Sequence, residues 1–216
     1  MYRCLLFDLD GTLLDTRDAV IDAVFRTAEH YAPGRFTQTE LISRFGESFD
    51  DFLAEAAVGF NHEEVLQTYY ANVREQNYQQ SQLFPFVQEG LSTLRDTGMK
   101  LGIVTNKQRE FALSGLQSAG ILDYFDCVVC VDDVSSGKPS PEPLHKALET
   151  LQLSAEDALL IGDTQYDLLA ARAAGVRCAI LEWYGTQVWA DAEPDCRFAN
   201  FQDFVQEIVT VKLTGR

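Results

Sequence analysis

The sequence predicts an α/β protein whose core is a doubly wound, Rossmann-like parallel sheet, with a helical cap domain inserted after the first strand. Three observations predict it. An apolar run of strand length lies near the amino terminus and ends in two acids. Apolar stretches then alternate with amphipathic helical stretches over residues 83–216, which is typical of a parallel sheet covered by helices. Between these parts, residues 13–82 show helical periodicity and no convincing strand.

The first predicted strand, Cys4-Leu5-Leu6-Phe7, ends at Asp8, and Asp10 follows two residues later, before Gly11. Ligands of open α/β sheets bind beyond the carboxyl ends of the strands. Alternate residues of an extended chain point to the same side, so Asp8 and Asp10 are predicted to lie together. Two carboxylates this close need a cation or a shared proton. The run is therefore interpreted as the start of a metal site or of a carboxylate nucleophile; the alternative is a solvated Asp-x-Asp-Gly turn.

Residues 13–82 are predicted to form helices only. The periodicity favours helices over 17–31, 37–45, 49–58 and from Asn61 to about residue 80. Thr37 and Glu40 have the spacing of a capping box, and Asn61 is a predicted N-cap. The predicted domains are therefore an α/β core, residues 1–12 and 83–216, and a helical cap, residues 13–82.

The core elements follow in alternation. Helices are predicted over 86–96, 108–119, 143–151, 166–174 and 201–211, and strands over 100–105, 125–131, 158–161, 176–181 and near 197–198. Gly98, Gly120 and Gly175 stand where three of these helices should end.

Charge restricts the class of partner. The 216-residue chain has 17 Lys and Arg against 33 Asp and Glu, a formal net charge of −16. Such a surface repels nucleic acid and anionic membranes, so neither is an expected partner. A phosphate ester would be repelled too, so its site must supply positive potential, from a divalent metal and one or two basic side chains. No apolar run approaches the roughly 18 residues of a membrane span, and no signal peptide is evident, so we expect a cytoplasmic protein.

Four motifs occur in an order that resembles the haloacid dehalogenase superfamily of phosphotransferases. They are Asp8-Leu9-Asp10-Gly11-Thr12, Gly102-Ile103-Val104-Thr105-Asn106, Lys138-Pro139, and Gly162-Asp163 with Asp167 four residues on. The resemblance covers nearly the whole chain. The helical insertion is similar to the small cap of the subclass that contains phosphoglycolate phosphatases, β-phosphoglucomutases and phosphonatases.

The resemblance implies a Mg²⁺-dependent phosphatase that hydrolyses a small, phosphoglycolate-like metabolite through an aspartyl-phosphate intermediate. Asp8 would be the nucleophile and Asp10 the general acid and base. Thr105 would hold the transferring phosphoryl group beside Asn106, and Lys138 would neutralise charge in the transition state.

The resemblance also implies a set of metal ligands. Asp8, the backbone carbonyl of Asp10 and Asp163 would hold Mg²⁺, which prefers oxygen donors. Asp167 would either complete this metal site or orient a metal-bound water or Lys138.

Substrate contacts in the cap are predicted at Arg44, Glu47 and Ser48, at the break between two cap helices. In the family that break faces the active site and selects substrates. Arg44 could hold a carboxylate or a second phosphate through two hydrogen bonds, and Glu47 and Ser48 could bind hydroxyls. The alternative is a surface arginine paired with Glu40. Residues 13–82 carry twelve acids against five arginines, so an anionic leaving group would find few cations there.

The same residues argue against several other functions. A similar sugar-phosphate mutase would carry a histidine five residues after the position of Asp15, where this chain has Val20. A phosphonatase needs a cap lysine, and residues 13–82 contain none. A non-enzymatic phospho-aspartate switch would use an Asp on a later strand and has no such insertion. Pyrophosphate, sugar phosphates and nucleoside monophosphates remain open as substrates.

Overall fold

The computed structural model describes residues 2–43, 52, 55–75, 82–185, 189 and 193–214. The strands are β1 (Cys4–Phe7), β2 (Leu14–Asp15), β3 (Gln82–Leu83), β4 (Lys100–Val104), β5 (Cys127–Val129), β6 (Ala158–Gly162), β7 (Arg177–Leu181) and β8 (Cys196–Phe198). The helices are α1 (Arg17–Tyr31), α2 (Gln38–Ser43), α3 (His62–Glu75), α4 (Val87–Asp96), α5 (Arg109–Ser118), α6 (Glu142–Leu151), α7 (Gln165–Ala174) and α8 (Phe201–Thr214). The chain divides into two compact units, one of Met1–Asp15 with Ser81–Arg216 and one of Thr16–Gln80.

The larger unit contains a six-stranded sheet in the order β5-β4-β1-β6-β7-β8, in which every pair is parallel. The predicted fold class is confirmed. β1 lies at the centre, and its last residue, Phe7, pairs with Ile103 of β4 and Ile161 of β6. Because parallel strands in this register end together, the residues that follow β1, β4 and β6 meet at one edge of the sheet.

Both faces of the sheet are buried, which explains why β1 is apolar throughout. Leu5 and Phe7 pack into the core cluster that includes Leu91 and Phe204, whereas Cys4 and Leu6 pack into a second cluster around Leu160. All four β1 side chains are fully buried. Burial of one such Leu or Phe side chain stabilises the fold by about 1.5–3 kcal/mol, so β1 fixes the position of Asp8, which follows it.

The helical unit has its own apolar core. α1 contributes Ile21, Val24 and Ala28, which cluster with Phe36 and Phe52 among others. The predicted cap at Asn61 is confirmed, because its side-chain oxygen accepts hydrogen bonds from the backbone N–H groups of Glu63 (2.9 Å) and Glu64 (3.3 Å). The predicted break at 46–48 lies outside the described residues, as do the first residues of the predicted helix over 49–58 apart from Phe52.

The prediction that residues 13–82 contain no strand is wrong at both ends of that segment. β2 pairs antiparallel with β3, with Leu14 opposite Leu83 and Asp15 opposite Gln82. A strand of two residues has no periodicity to detect, and its partner is remote in the sequence. The ribbon is held by a neighbouring loop, where Trp183 donates from its indole to the Thr12 carbonyl (3.1 Å) and stacks on the ring of Phe84. Within the described residues, no helix combines the length and the apolar character that crossing a membrane requires.

Candidate active site

Three buried carboxylates meet at the carboxyl ends of β1 and β6. Asp8 follows β1 directly, Asp163 follows β6, and Asp167 lies in the first turn of α7. One oxygen from each of the three lies within 4.8 Å of the others. The sheet register brings Asp8 close to Asp163, because Phe7 pairs with Ile161 and the Asp8 N–H donates to the Ile161 carbonyl at 2.8 Å.

Lys138 joins two of these acids. Its Nζ lies 2.9 Å from Asp8 Oδ1 and 2.5 Å from Asp167 Oδ1, and its side chain is 3% exposed. Burial alone would lower the pKa of Lys138, but Asp167 and Asp8 outweigh burial and raise that pKa above its ordinary value. The structure therefore places a buried ammonium ion against the predicted nucleophile.

Asp167 has partners on both carboxylate oxygens. Oδ1 accepts from Lys138, and Oδ2 accepts from the backbone N–H (3.1 Å) and the hydroxyl (2.7 Å) of Thr164 at the start of α7. Of the two roles predicted for Asp167, these bonds favour the orientation of Lys138. Thr164, not Asp163, occupies the N-cap of α7, so Asp163 is available for other chemistry.

Asp163 is fixed by the turn after β1. Its Oδ1 accepts a hydrogen bond from the Thr12 hydroxyl at 2.9 Å. Gly11 has φ +78°, and a Cβ at that position would lie 2.3 Å from Asp163 Oδ2. The glycine of the first motif is therefore required both for the left-handed turn and for room beside Asp163.

The electrostatics of this cluster fit a divalent cation. Burial raises the pKa of Asp8 to about 6, although Lys138 opposes the rise. Burial, with Asp167 and Asp8, raises the pKa of Asp163 well above its ordinary value. Three carboxylates against one ammonium leave a formal charge of −2. A cation beside Asp8 and Asp163 would favour their ionised forms, and a purely oxygen donor set suits Mg²⁺.

Asp10 belongs to a second ion pair, with a residue that sequence reasoning missed. Lys107 Nζ donates to both carboxylate oxygens of Asp10 at 2.7 Å. The lysine side chain is 7% exposed and that of Asp10 is 26% exposed. Burial lowers the pKa of Lys107, and the attraction of Asp10 opposes this shift. Lys107 comes two residues after Thr105, so its position beyond a strand end was the signal available in the sequence.

Thr105 and Asn106 follow β4 directly; the predicted strand included Thr105, but β4 ends at Val104. Thr105 is buried, and its hydroxyl accepts from the Lys107 N–H at 3.2 Å. The Asn106 side chain donates to the Lys138 carbonyl and accepts from the Lys138 N–H, each at 2.7 Å. Both ends of the Asn106 amide thus hold the backbone of Lys138. The Asn106 substrate contact stays a prediction, as do those of Arg44, Glu47 and Ser48, which lie outside the described residues.

Known proteins resemble this chain along nearly its whole length. The profile of the family described as haloacid dehalogenase-like hydrolase matches residues 5–181. A pyrophosphatase PpaX from Anoxybacillus flavithermus is 35% identical over 203 residues, which are 93% of this chain and 94% of the relative. A pyrophosphatase PpaX from Bacillus velezensis is 35% identical over 206 residues, with the same coverage of 93% and 94%.

Solved structures share the fold. A haloacid dehalogenase-like family hydrolase from Streptococcus pneumoniae superposes with a TM-score of 0.83 at 26% identity, covering 96% of this chain and 98% of its own. A protein from Lactobacillus plantarum that carries the provisional name phosphoglycolate phosphatase superposes with a TM-score of 0.82 at 27% identity. That match covers 95% of this chain and 99% of the other.

Proposed function

This chain belongs to the haloacid dehalogenase-like hydrolase family, and on that premise we propose that it is a Mg²⁺-dependent phosphohydrolase of small phosphorylated substrates that works through an aspartyl-phosphate. One observation carries the proposal. Asp8 follows the central strand, the Lys138 ammonium lies 2.9 Å from one of its oxygens, and an oxygen of Asp163 lies within 4.8 Å of an Asp8 oxygen, so that one metal ion could contact both acids.

The residues divide the chemistry between them. The Asp8 carboxylate attacks phosphorus, the bond from phosphorus to the leaving-group oxygen breaks, and Asp10, which must enter this step protonated, gives that oxygen its proton. Water then attacks the aspartyl-phosphate, Asp10 takes the proton of the water, and the Asp8 carboxylate is regenerated with release of phosphate. Lys138 and the Thr105 hydroxyl stabilise charge on the phosphoryl oxygens.

The metal has a defined place in the proposal. Asp8, Asp163 and the Asp10 carbonyl would hold Mg²⁺, which when bound supplies charge neutralisation at the phosphoryl group. Asp167 keeps Lys138 in position through its Oδ1. Asn106 does the same from the backbone side, since its amide holds both the N–H and the carbonyl of Lys138.

Inorganic pyrophosphate is the first substrate to test and phosphoglycolate the second. Relatives that match this chain over nearly their whole length are named pyrophosphatases, and a structural neighbour is named a phosphoglycolate phosphatase. The helical segment 13–82 is proposed as the cap that selects the substrate, through Arg44, Glu47 and Ser48. Val20 in α1 stands against a sugar-phosphate mutase, because the histidine that the mutases carry there is missing.

The decisive experiment is phosphate release by the Asp8→Asn variant. The purified protein is assayed with pyrophosphate, phosphoglycolate and a sugar phosphate, each with and without Mg²⁺. We expect wild-type turnover that needs Mg²⁺, and no measurable turnover after Asp8→Asn. Asp123→Asn is the matched control, because Asp123 is an exposed acid of the same unit. Appreciable turnover by a folded Asp8→Asn protein would rule out Asp8 as the nucleophile.

A further inference from the structure

Lys107 gives the site a second buried cation, separate from Lys138. Among the described residues, the ion pairs of the site carboxylates involve these two lysines: Lys138 contacts Asp8 and Asp167, and Lys107 contacts Asp10. Lys138 therefore serves the attacking carboxylate. Lys107 is paired with Asp10, the carboxylate that faces the leaving group under the proposed function.

We propose that Lys107 is the binding group for a negatively charged leaving group, so that the site selects phosphoryl compounds whose leaving group is an anion. The inference rests on the proposed function, because it takes Asp10 as the proton donor. It names the substrate class: a phosphoanhydride such as pyrophosphate, or a phosphate ester whose alcohol carries a carboxylate.

The geometry places the ammonium beside the departing oxygen. A proton donor must lie about 2.6–3.2 Å from the oxygen it protonates. Lys107 Nζ lies 2.7 Å from each Asp10 oxygen. Whichever Asp10 oxygen gives the proton, the ammonium is therefore its immediate neighbour. The departing oxygen of pyrophosphate belongs to a second phosphate, whose other oxygens are two bonds away from it, so the inference places them beside Lys107 Nζ.

The charge of the surroundings makes this contact selective. The chain has a net charge of −16, so an anionic leaving group needs a local cation to enter. The Lys107 side chain is only 7% exposed, and a charged hydrogen bond in such a site is stronger than at the surface. An anionic oxygen could replace one of the two Asp10 contacts without leaving the ammonium uncompensated. A neutral hydroxyl in the same place would not compensate the charge of the Lys107 ammonium.

The experiment compares two substrates that differ in the charge of the leaving group. Phosphoglycolate and 2-hydroxyethyl phosphate have the same number of carbons, but one leaving group ends in a carboxylate and the other in a hydroxyl. Pyrophosphate is measured alongside them. For each protein, the selectivity is kcat/KM for an anionic substrate divided by kcat/KM for 2-hydroxyethyl phosphate.

We expect wild-type protein to prefer the anionic substrates and Lys107→Gln to lower that selectivity at least tenfold. Lys107→Arg, which keeps the charge, should retain most of the preference. The control is Lys100→Gln, which removes the same charge from the opposite end of β4, where Lys100 Nζ bonds to the Leu151 carbonyl. We expect this control to leave the selectivity as in wild type.

Three results would overturn the inference. One is a Lys107→Gln variant that loses the same factor on all three substrates, which would mean that Lys107 only supports Asp10. Another is a wild-type enzyme that hydrolyses 2-hydroxyethyl phosphate as well as phosphoglycolate, a measurement that needs no variant. In both cases the proposed function would stand. A wild-type protein that releases phosphate from none of the substrates would instead refute the proposed function, and this inference with it.

Discussion

Gly11→Ala isolates the contact between the first motif and Asp163. At Gly11 the backbone has φ +78°, and an added Cβ would approach Asp163 Oδ2 to 2.3 Å. Ordinary van der Waals contact begins near 3.4 Å, so the carboxylate would have to move by about 1.1 Å. Because Asp163 is a proposed metal ligand, a shift of this size should lower activity as well as stability.

Gly11→Ala has two expected effects, backbone strain and displacement of Asp163, and the same substitution at Gly98 measures the first effect alone. Gly98 follows α4 with φ +77°, yet a Cβ there would meet nothing within 4 Å. Both substitutions place an alanine in the left-handed region, which costs about 1–2 kcal/mol. Only Gly11→Ala also displaces a site carboxylate, and a misplacement of about 1 Å can cost roughly a hundredfold in rate. We therefore expect similar strain in the two variants and very different activities.

The measurements are the free energy of unfolding in urea and kcat/KM for phosphate release at saturating Mg²⁺. Gly98→Ala should lose about 1–2 kcal/mol and keep wild-type kcat/KM. Gly11→Ala should lose at least as much stability, and its kcat/KM should fall by about two orders of magnitude. If a folded Gly11→Ala protein stays within threefold of wild-type kcat/KM, the close packing of Gly11 against Asp163 is not what positions the carboxylate.

Three further outcomes are expected. A chelator should abolish phosphate release and added Mg²⁺ should restore it; full activity in the chelator would disprove metal dependence. Lys138→Ala should destabilise the fold by about 3–5 kcal/mol in urea denaturation, because Asp8 and Asp167 lose a buried partner. Loss of under 1 kcal/mol would mean that water replaces the ammonium. Arg44→Ala should raise KM for the best substrate more than it lowers kcat, since the contact is remote from the reacting phosphorus; unchanged kinetics across the substrates would make Arg44 a surface charge.

The strand ends could be predicted from the sequence, because a buried parallel strand is a continuous apolar run and the run stops where the strand ends. β1 is an apolar run that ends at Asp8, and β6 is one that precedes Asp163. Once a parallel sheet is inferred, both acids must lie at the same edge. Helix ends were predictable for a similar reason, as at Gly175, which ends α7 in the left-handed conformation with φ +70°.

Partnership between side chains was less predictable, because it depends on loop paths. Nothing in the string Thr105-Asn106-Lys107 indicates which residue turns toward which neighbour. In the structure the Asn106 side chain hydrogen-bonds to the backbone of Lys138, and Lys107 donates to Asp10. The two-residue pairing of β2 with β3 was missed for the same reason. Hydrophobic periodicity identifies the buried face of a long helix or strand, but it cannot detect a pairing of only two residues.

Lys138 and a divalent cation together would keep the carboxylates of the three-acid cluster ionised. A nucleophilic carboxylate must be deprotonated, yet burial alone pushes the pKa of Asp8 upward, to about 6 even with Lys138 present. Each cation brought to the cluster acts in the opposite direction. Lys138 compensates one of its three charges, and a divalent ion would compensate the remaining two. Lys107 is paired with Asp10 and is also attracted by Asp8, and under our inference its charge acts on the leaving group when a substrate binds.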